Sequence, residues 1–103
     1  GIGVIWSPHV LVIDRPFINI GNNVVLGHGT TIVSHSFTYR DKIPLLYFGV
    51  PIIEDKAILG GLSKVGVGAK IYNGELVPLG TAVFPFRHWY NGKSHFSSKW
   101  YRQ

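Results

Sequence analysis

The chain has 103 residues, 46% of them hydrophobic and 15% charged, which suits one small domain with a thin core and argues against a disordered segment. It has no cysteine, which excludes disulfides, thiolate nucleophiles and cysteine-based metal sites. The net charge of +5 points to an anionic partner, such as a phosphorylated cofactor, an acidic sugar or nucleic acid, without choosing among them.

Gly1-Ile2-Gly3-Val4-Ile5-Trp6 has neither the basic start nor the apolar block of a secretory signal. No apolar run approaches the roughly 20 residues that a membrane helix needs. A cytoplasmic protein without a membrane span is the expectation. With no methionine in the chain, Gly1 is expected to be a processed start or a cut within a longer chain.

From Val4 onward a six-residue step takes over. Aliphatic or aromatic residues recur at Trp6 and Val12, then at Ile20, Leu26 and Ile32 after a two-residue offset across Arg15-Pro16. The step resumes at Ile53 and runs through Leu59, Val65, Ile71, Val77 and Val83. A second track lies two residues before each of these and holds Val4, Val10, Ile18, Val24, Thr30, Ala57, Ser63, Ala69 and Thr81, which are mostly small or β-branched; Pro51 and Glu75 break it. Period six with paired inward positions fits neither an α-helix nor a two-faced strand. It fits a triangular coil in which each side uses one hexad, about 18 residues make a turn, and turns stack at a strand spacing of about 4.8 Å. The expected fold is therefore all-β, a left-handed parallel β-helix of hexapeptide repeats. Glycines at Gly21, Gly27, Gly60 and Gly66, and at Gly29, Gly68, Gly74 and Gly80, are expected at its tight corners. An ordinary β-sandwich would not hold one six-residue phase for so long.

Two segments depart from the pattern. The step lapses from His35 to Val50, and the distance from Ile32 to Ile53 is not a multiple of six, so residues 35–50 read as an excursion loop. After Val83, Phe86-Arg87-His88-Trp89-Tyr90, Asn91-Gly92 and Lys93-Ser94-His95-Phe96 read as a hairpin, because Asn-Gly suits a type I′ turn. The open end of a β-helix needs covering, so the expected organisation is a β-helix over 1–85 and a capping hairpin over 86–103.

The stretch Ile18-Asn19-Ile20-Gly21-Asn22-Asn23-Val24-Val25-Leu26-Gly27 resembles the hexapeptide-repeat acyltransferases, the family of galactoside, maltose, serine and polysaccharide O-acetyltransferases. The likeness runs from about Val10 to Val83. It includes a coil ending in histidine (Ile32-Val33-Ser34-His35), an excursion, and a Pro51-Ile52-Ile53 return. The resemblance implies acyl transfer, by default acetyl, from acyl-coenzyme A to a hydroxyl or amine of a sugar or similar small molecule. It also implies a homotrimer with the site in the cleft between neighbouring β-helices. By position His35 is the family's general base: imidazole titrates near neutral pH and can take the proton as a hydroxyl attacks the thioester. His28 and His9 are its rivals. A backbone N–H at Gly60-Gly61 is the candidate donor to the thioester oxygen. Coenzyme contacts are expected at Gly60, Gly61, Ser63 and Arg87. Asp14 and Arg15, ahead of the Ile-x-Ile-Gly coil, are the candidate acceptor contacts, with an Asp-capped turn before Pro16 as the alternative.

Departures from the family pattern stand beside these likenesses. The hexad Ala57-Ile58-Leu59-Gly60-Gly61 lacks the frequent tryptophan, and Phe84-Pro85 replaces the Thr-Lys that commonly meets a coenzyme phosphate. These favour a second reading, a degenerate scaffold or binding module. The related γ-type carbonic anhydrases need three histidines, and Gly60 to Val65 has none, so no metal is expected. A third reading, single-stranded nucleic acid binding by the tail from Arg87 to Arg102, competes with the cap and is not favoured.

Overall fold

A six-residue step leaves only about two residues per side free to run straight. The computed structural model, which describes residues 1–13 and 17–96, shows this directly. The two-residue strands are β1 (Ile5–Trp6), β2 (Leu11–Val12), β3 (Asn19–Ile20), β4 (Val25–Leu26) and β5 (Thr31–Ile32). An arm of β6 (His35–Arg40) and β7 (Ile43–Phe48) follows. Then come β8 (Ile52–Ile53), β9 (Ile58–Leu59), β10 (Lys64–Val65), β11 (Lys70–Ile71), β12 (Leu76–Val77) and β13 (Ala82–Val83). The longer β14 (Arg87–Tyr90) and β15 (Lys93–Phe96) end the described chain.

Every third short strand pairs. The first sheet has the order β1-β4-β9-β12, the second β2-β5-β10-β13, and the third β3-β8-β11-β14-β15. All pairings are parallel except β6 with β7 and β14 with β15. This is the arrangement of a β-helix, and its register gives the length of a turn. Ile52 faces Lys70 and Lys64 faces Ala82, an offset of 18 residues. Ile5 faces Val25 at an offset of 20, which absorbs two extra residues between Val12 and Asn19. Val25 faces Ile58 at an offset of 33, which absorbs the arm. Among the described residues no helix is long and apolar enough to cross a membrane.

The two sequence tracks become the core. Leu26, Ile32, Ile53, Leu59, Val65, Ile71, Val77 and Val83 are buried on the axis, with Val24, Thr30, Ala57, Ser63 and Ala69 beside them. Pro51, expected to break the small-residue track, is in fact fully buried. The chain re-enters there from the arm, and the Pro51 carbonyl accepts the Asn19 N–H at 2.9 Å. Trp89 continues the phase one step beyond Val83. It is 6% exposed, and its indole N–H donates to the Leu76 carbonyl at 3.1 Å. The hairpin's first strand thus forms the third side of the fourth turn. Its Asn91-Gly92 turn has φ of 52° and 70°, as a type I′ hairpin requires.

Corners follow a rule that the glycines show only in part. A backbone bond closes four residues at Gly60–Ser63, Gly66–Ala69, Tyr72–Glu75, Pro78–Thr81 and Phe84–Arg87. The third residue of each, namely Leu62, Gly68, Gly74, Gly80 and Phe86, has φ between 60° and 72°, the demand of a type II turn. Glycine meets it without steric cost, whereas Leu62 and Phe86 are held there by the pairing on either side. Gly27 answers a different need, since a Cβ there would stand 2.6 Å from the Gly61 nitrogen of the next turn.

The corner between the third and first sheets carries a polar ladder. Asn22 Oδ1 accepts from the Ile2 N–H at 2.9 Å, and Asp55 Oδ1 from the Asn22 N–H at 2.7 Å. Glu54 Oε1 accepts from the Asn73 N–H at 3.1 Å, and Glu75 Oε1 from the Gly92 N–H at 3.0 Å. Side-chain acceptors here tie one turn to its neighbour where strand pairing has stopped. Glu75 therefore leaves the small-residue track in order to hold the terminal hairpin.

The segment expected as a loop over 35–50 contains an antiparallel two-stranded arm, in register from His35 opposite Phe48 to Arg40 opposite Ile43. Asp41 and Lys42 turn it with φ of 51° and 64°.

If the axis carries the stability, Ile71→Ala should cost about 2–5 kcal/mol, while Lys64→Ala on the outward face of the second sheet should cost no more than about 1 kcal/mol. Urea denaturation of the two variants measures both.

Candidate active site

His35 is the first residue beyond the interrupted side of the second turn. Ser34, just before it, is 1% exposed, and its carbonyl accepts the Gly49 N–H at 3.0 Å, closing the foot of the arm. The His35 ring is half-buried, tilted 51° against Phe48 at 6.2 Å between centroids. Tyr47 meets Phe86 of the fourth turn, also at 6.2 Å. A cavity of about 380 Å³ lies at this foot, lined by Phe17, Ser34, Phe48, Gly49 and Val50. The arrangement puts the imidazole against Phe48, one wall of an apolar hollow at a corner, with His35 itself just outside the lining.

The other predicted site residues separate. Gly60 and Gly61 lie at the corner between the first and second sheets, a full side of the triangle from His35, or at most about 20 Å for six extended residues. Gly60 donates its N–H to the Val77 carbonyl at 2.7 Å, so of the pair Gly61 is the donor left for a ligand. Ser63 does not face solvent at all: it is 0% exposed, and its hydroxyl lies 3.4 Å from that of Thr30. It is a core residue, and its expected coenzyme contact is corrected on that ground. Arg87 opens β14 at the same edge as the arm, two turns from His35, with its guanidinium 3.5 Å from the centre of the Phe96 ring. Asp14 and Arg15 lie outside the described residues, as does the tail beyond Phe96 on which the nucleic-acid reading leaned.

His35 and Gly61 of one chain therefore do not converge on one thioester. The rival histidines sit elsewhere again. His9 and His28 pack edge to face at 5.1 Å on the Gly61 corner, where the His28 carbonyl accepts the Leu62 N–H at 2.7 Å. Among the described residues no group of three or more His, Asp or Glu is placed to hold a metal ion.

A second polar cluster escaped the sequence reading. On the outer face of the third sheet Tyr72 Oη lies 3.1 Å from His88 Nδ1, Tyr90 stacks on His95 at 3.8 Å, and Lys70 Nζ stands 4.6 Å from the Tyr72 ring centre. The readable signal was the recurrence of Lys70 with His88 and of Tyr72 with Tyr90, one turn apart. The cluster secures the terminal strands; its Lys70–Glu54 contact of 3.9 Å is partly exposed and contributes little.

No family model matches the chain, and no solved structure matches it. A protein of Bacillus subtilis (strain 168) with the description "Putative acetyltransferase YvoF" is 30% identical over 66 residues, 64% of this chain and 36% of that protein. The chain thus spans little more than a third of the relative's length. That description names neither an acceptor nor a catalytic residue.

Because Thr30 Oγ1 also reaches the Gly60 carbonyl at 3.4 Å, Ser63→Ala should leave no orphaned partner. It should cost less than about 1 kcal/mol and leave any coenzyme A affinity unchanged, which paired urea and calorimetric titrations would check.

Proposed function

We propose that this chain is a left-handed β-helix of the hexapeptide-repeat acyltransferase kind, which transfers an acyl group, by default acetyl, from acyl-coenzyme A to a hydroxyl or amine. The observation that carries the reading is the position of His35, at the foot of the arm and beside the cavity. Its imidazole takes the acceptor proton as the oxygen or nitrogen attacks the thioester carbonyl. The new carbon–oxygen or carbon–nitrogen bond forms, the carbon–sulfur bond breaks, and the imidazolium returns the proton to the departing thiolate. In this reading the Gly61 N–H of a neighbouring copy stabilises the charge on the thioester oxygen, and Arg87 meets a coenzyme phosphate.

Separation of His35 from Gly61 within one chain supports an assembly in which two copies complete each site. A surface suited to burial exists on the first sheet, where Ile5, Val25, Ile58 and Leu76 stand in register on the outside. Ile5, Ile58 and Leu76 are 59%, 43% and 55% exposed. A homotrimer, with each triangular coil turning one face to the next, would cover this ladder. The terminal hairpin, with Trp89 over the axis, acts as the cap of one end.

A scaffold without catalysis is the second reading, favoured by Phe84-Pro85 in place of Thr-Lys and by the enclosure of Ser63. Acetyl-CoA turnover against hydroxyl and amine acceptors separates the two. His35→Ala should lower the rate by roughly a hundredfold or more. Full activity in that variant would remove His35 as the base, and no binding of coenzyme A to the unaltered protein would favour the scaffold.

A further inference from the structure

The wall beside His35 is unlike the corner between the third and first sheets. There Asn22, Asp55 and Glu54 place acceptors at the turns. Among the described residues at the foot of the arm the lining side chains are those of Phe17, Phe48 and Val50, with Ser34 polar and itself enclosed. The three apolar residues are 59%, 65% and 47% exposed, so the hollow opens to solvent while its walls stay greasy. Its volume of about 380 Å³ falls within the roughly 300–1,000 Å³ of small-molecule sites.

We propose that this hollow receives the apolar body of the acceptor, so that the acceptor class is a hydrophobic alcohol or amine rather than a free sugar. The inference rests on the acyl-transfer reading above. A sugar carries hydroxyls around its ring, and each one taken from water needs a new partner; the described lining offers Phe17, Phe48 and Val50 with the enclosed Ser34. An aromatic or alkyl body leaves no such group stranded. The occupant is the acceptor and not the acyl chain because of what the base must touch. His35 is not itself a lining residue but packs against Phe48, which is, so a ligand whose apolar body fills the hollow extends its terminal hydroxyl or amine past Phe48 to reach the imidazole. The thioester is instead assigned to the Gly61 corner, at the far end of the second sheet.

The test uses the full chain with 4-phenylbutan-1-ol as probe, followed by backbone amide shifts in NMR without coenzyme. The alcohol should shift the amides of Gly49 and Val50, and Phe17→Ala and Phe48→Ala should each weaken binding roughly tenfold. With acetyl-CoA, kcat/KM for the alcohol and the matching amine should exceed that for glucose by more than tenfold, and Val50→Asp should erase the preference. A preference for glucose, or shifts confined to another part of the chain, would overturn the proposal. So would a Phe48→Ala effect seen only as altered choice between acetyl-CoA and octanoyl-CoA. Binding at the hollow with no turnover of any acceptor would overturn acyl transfer while upholding the hollow's apolar preference. Turnover of glucose with no binding of the alcohol would do the reverse.

Discussion

A strand of two residues cannot hold itself straight, and eleven of them among the described residues do so only because each is paired to the turn above or below. Gly27 donates to Leu59, Gly60 to Val77 and Gly66 to Val83, at 2.7–2.9 Å. These backbone bonds fix the length of a turn, and through it the six-residue phase of the core. A side chain at the wrong step would face solvent and leave a void on the axis. The requirement is collective: the corner conformation of Leu62 and Phe86, unfavourable for a residue with a Cβ, holds because the strands on both sides are already paired.

Such a scaffold can accept extra residues only at a corner. The two extra residues between Val12 and Asn19, and the arm after Ser34, both fall between a strand of the second sheet and one of the third, in successive turns. Pairing resumes after each, with Asn19 opposite Ile52 and Ile52 opposite Lys70. The cavity lies between them, lined by Phe17 from the first turn and by Phe48 to Val50 from the arm. Chemistry-bearing residues can collect there without disturbing the axis, which gives a physical reason for a candidate base at that position. The same geometry keeps His35 apart from Gly61, so the proposed reaction needs a second copy.

Much of the fold was legible because the phase is redundant. Leu59, Val65, Ile71, Val77 and Val83 repeat one instruction and all five are buried, whereas Trp6 on the same step is 42% exposed and Val67 is buried off it. Legibility fails where a residue answers to a neighbouring turn rather than to its own hexad. Trp89 is on phase with Val83, yet the Asn91-Gly92 turn signal drew attention to the hairpin instead. Ser63 stands on the inward track with Thr30, and the stacking places the two together; the coenzyme contact expected there comes from the resemblance and not from the phase. The arm reads as a loop because Asp41-Lys42 is not a typical hairpin turn, and because its strands need no core-facing alternation. For the site, the position of His35 at the interruption was readable from sequence. The pairing of His9 with His28, and the greasy wall around Phe17 and Val50, depend on cross-turn register and were not.

Duplicating one turn would test the phase most directly. A chain in which residues 54–71 are repeated once in tandem adds 18 residues, one full circuit by the pairing of Ile52 with Lys70. A second chain repeating only 55–71 adds one fewer. Thermal unfolding followed by far-ultraviolet circular dichroism should show the first chain cooperative, with a midpoint at or above that of the parent, and the second without a cooperative transition. Equal tolerance of the two insertions would contradict the account.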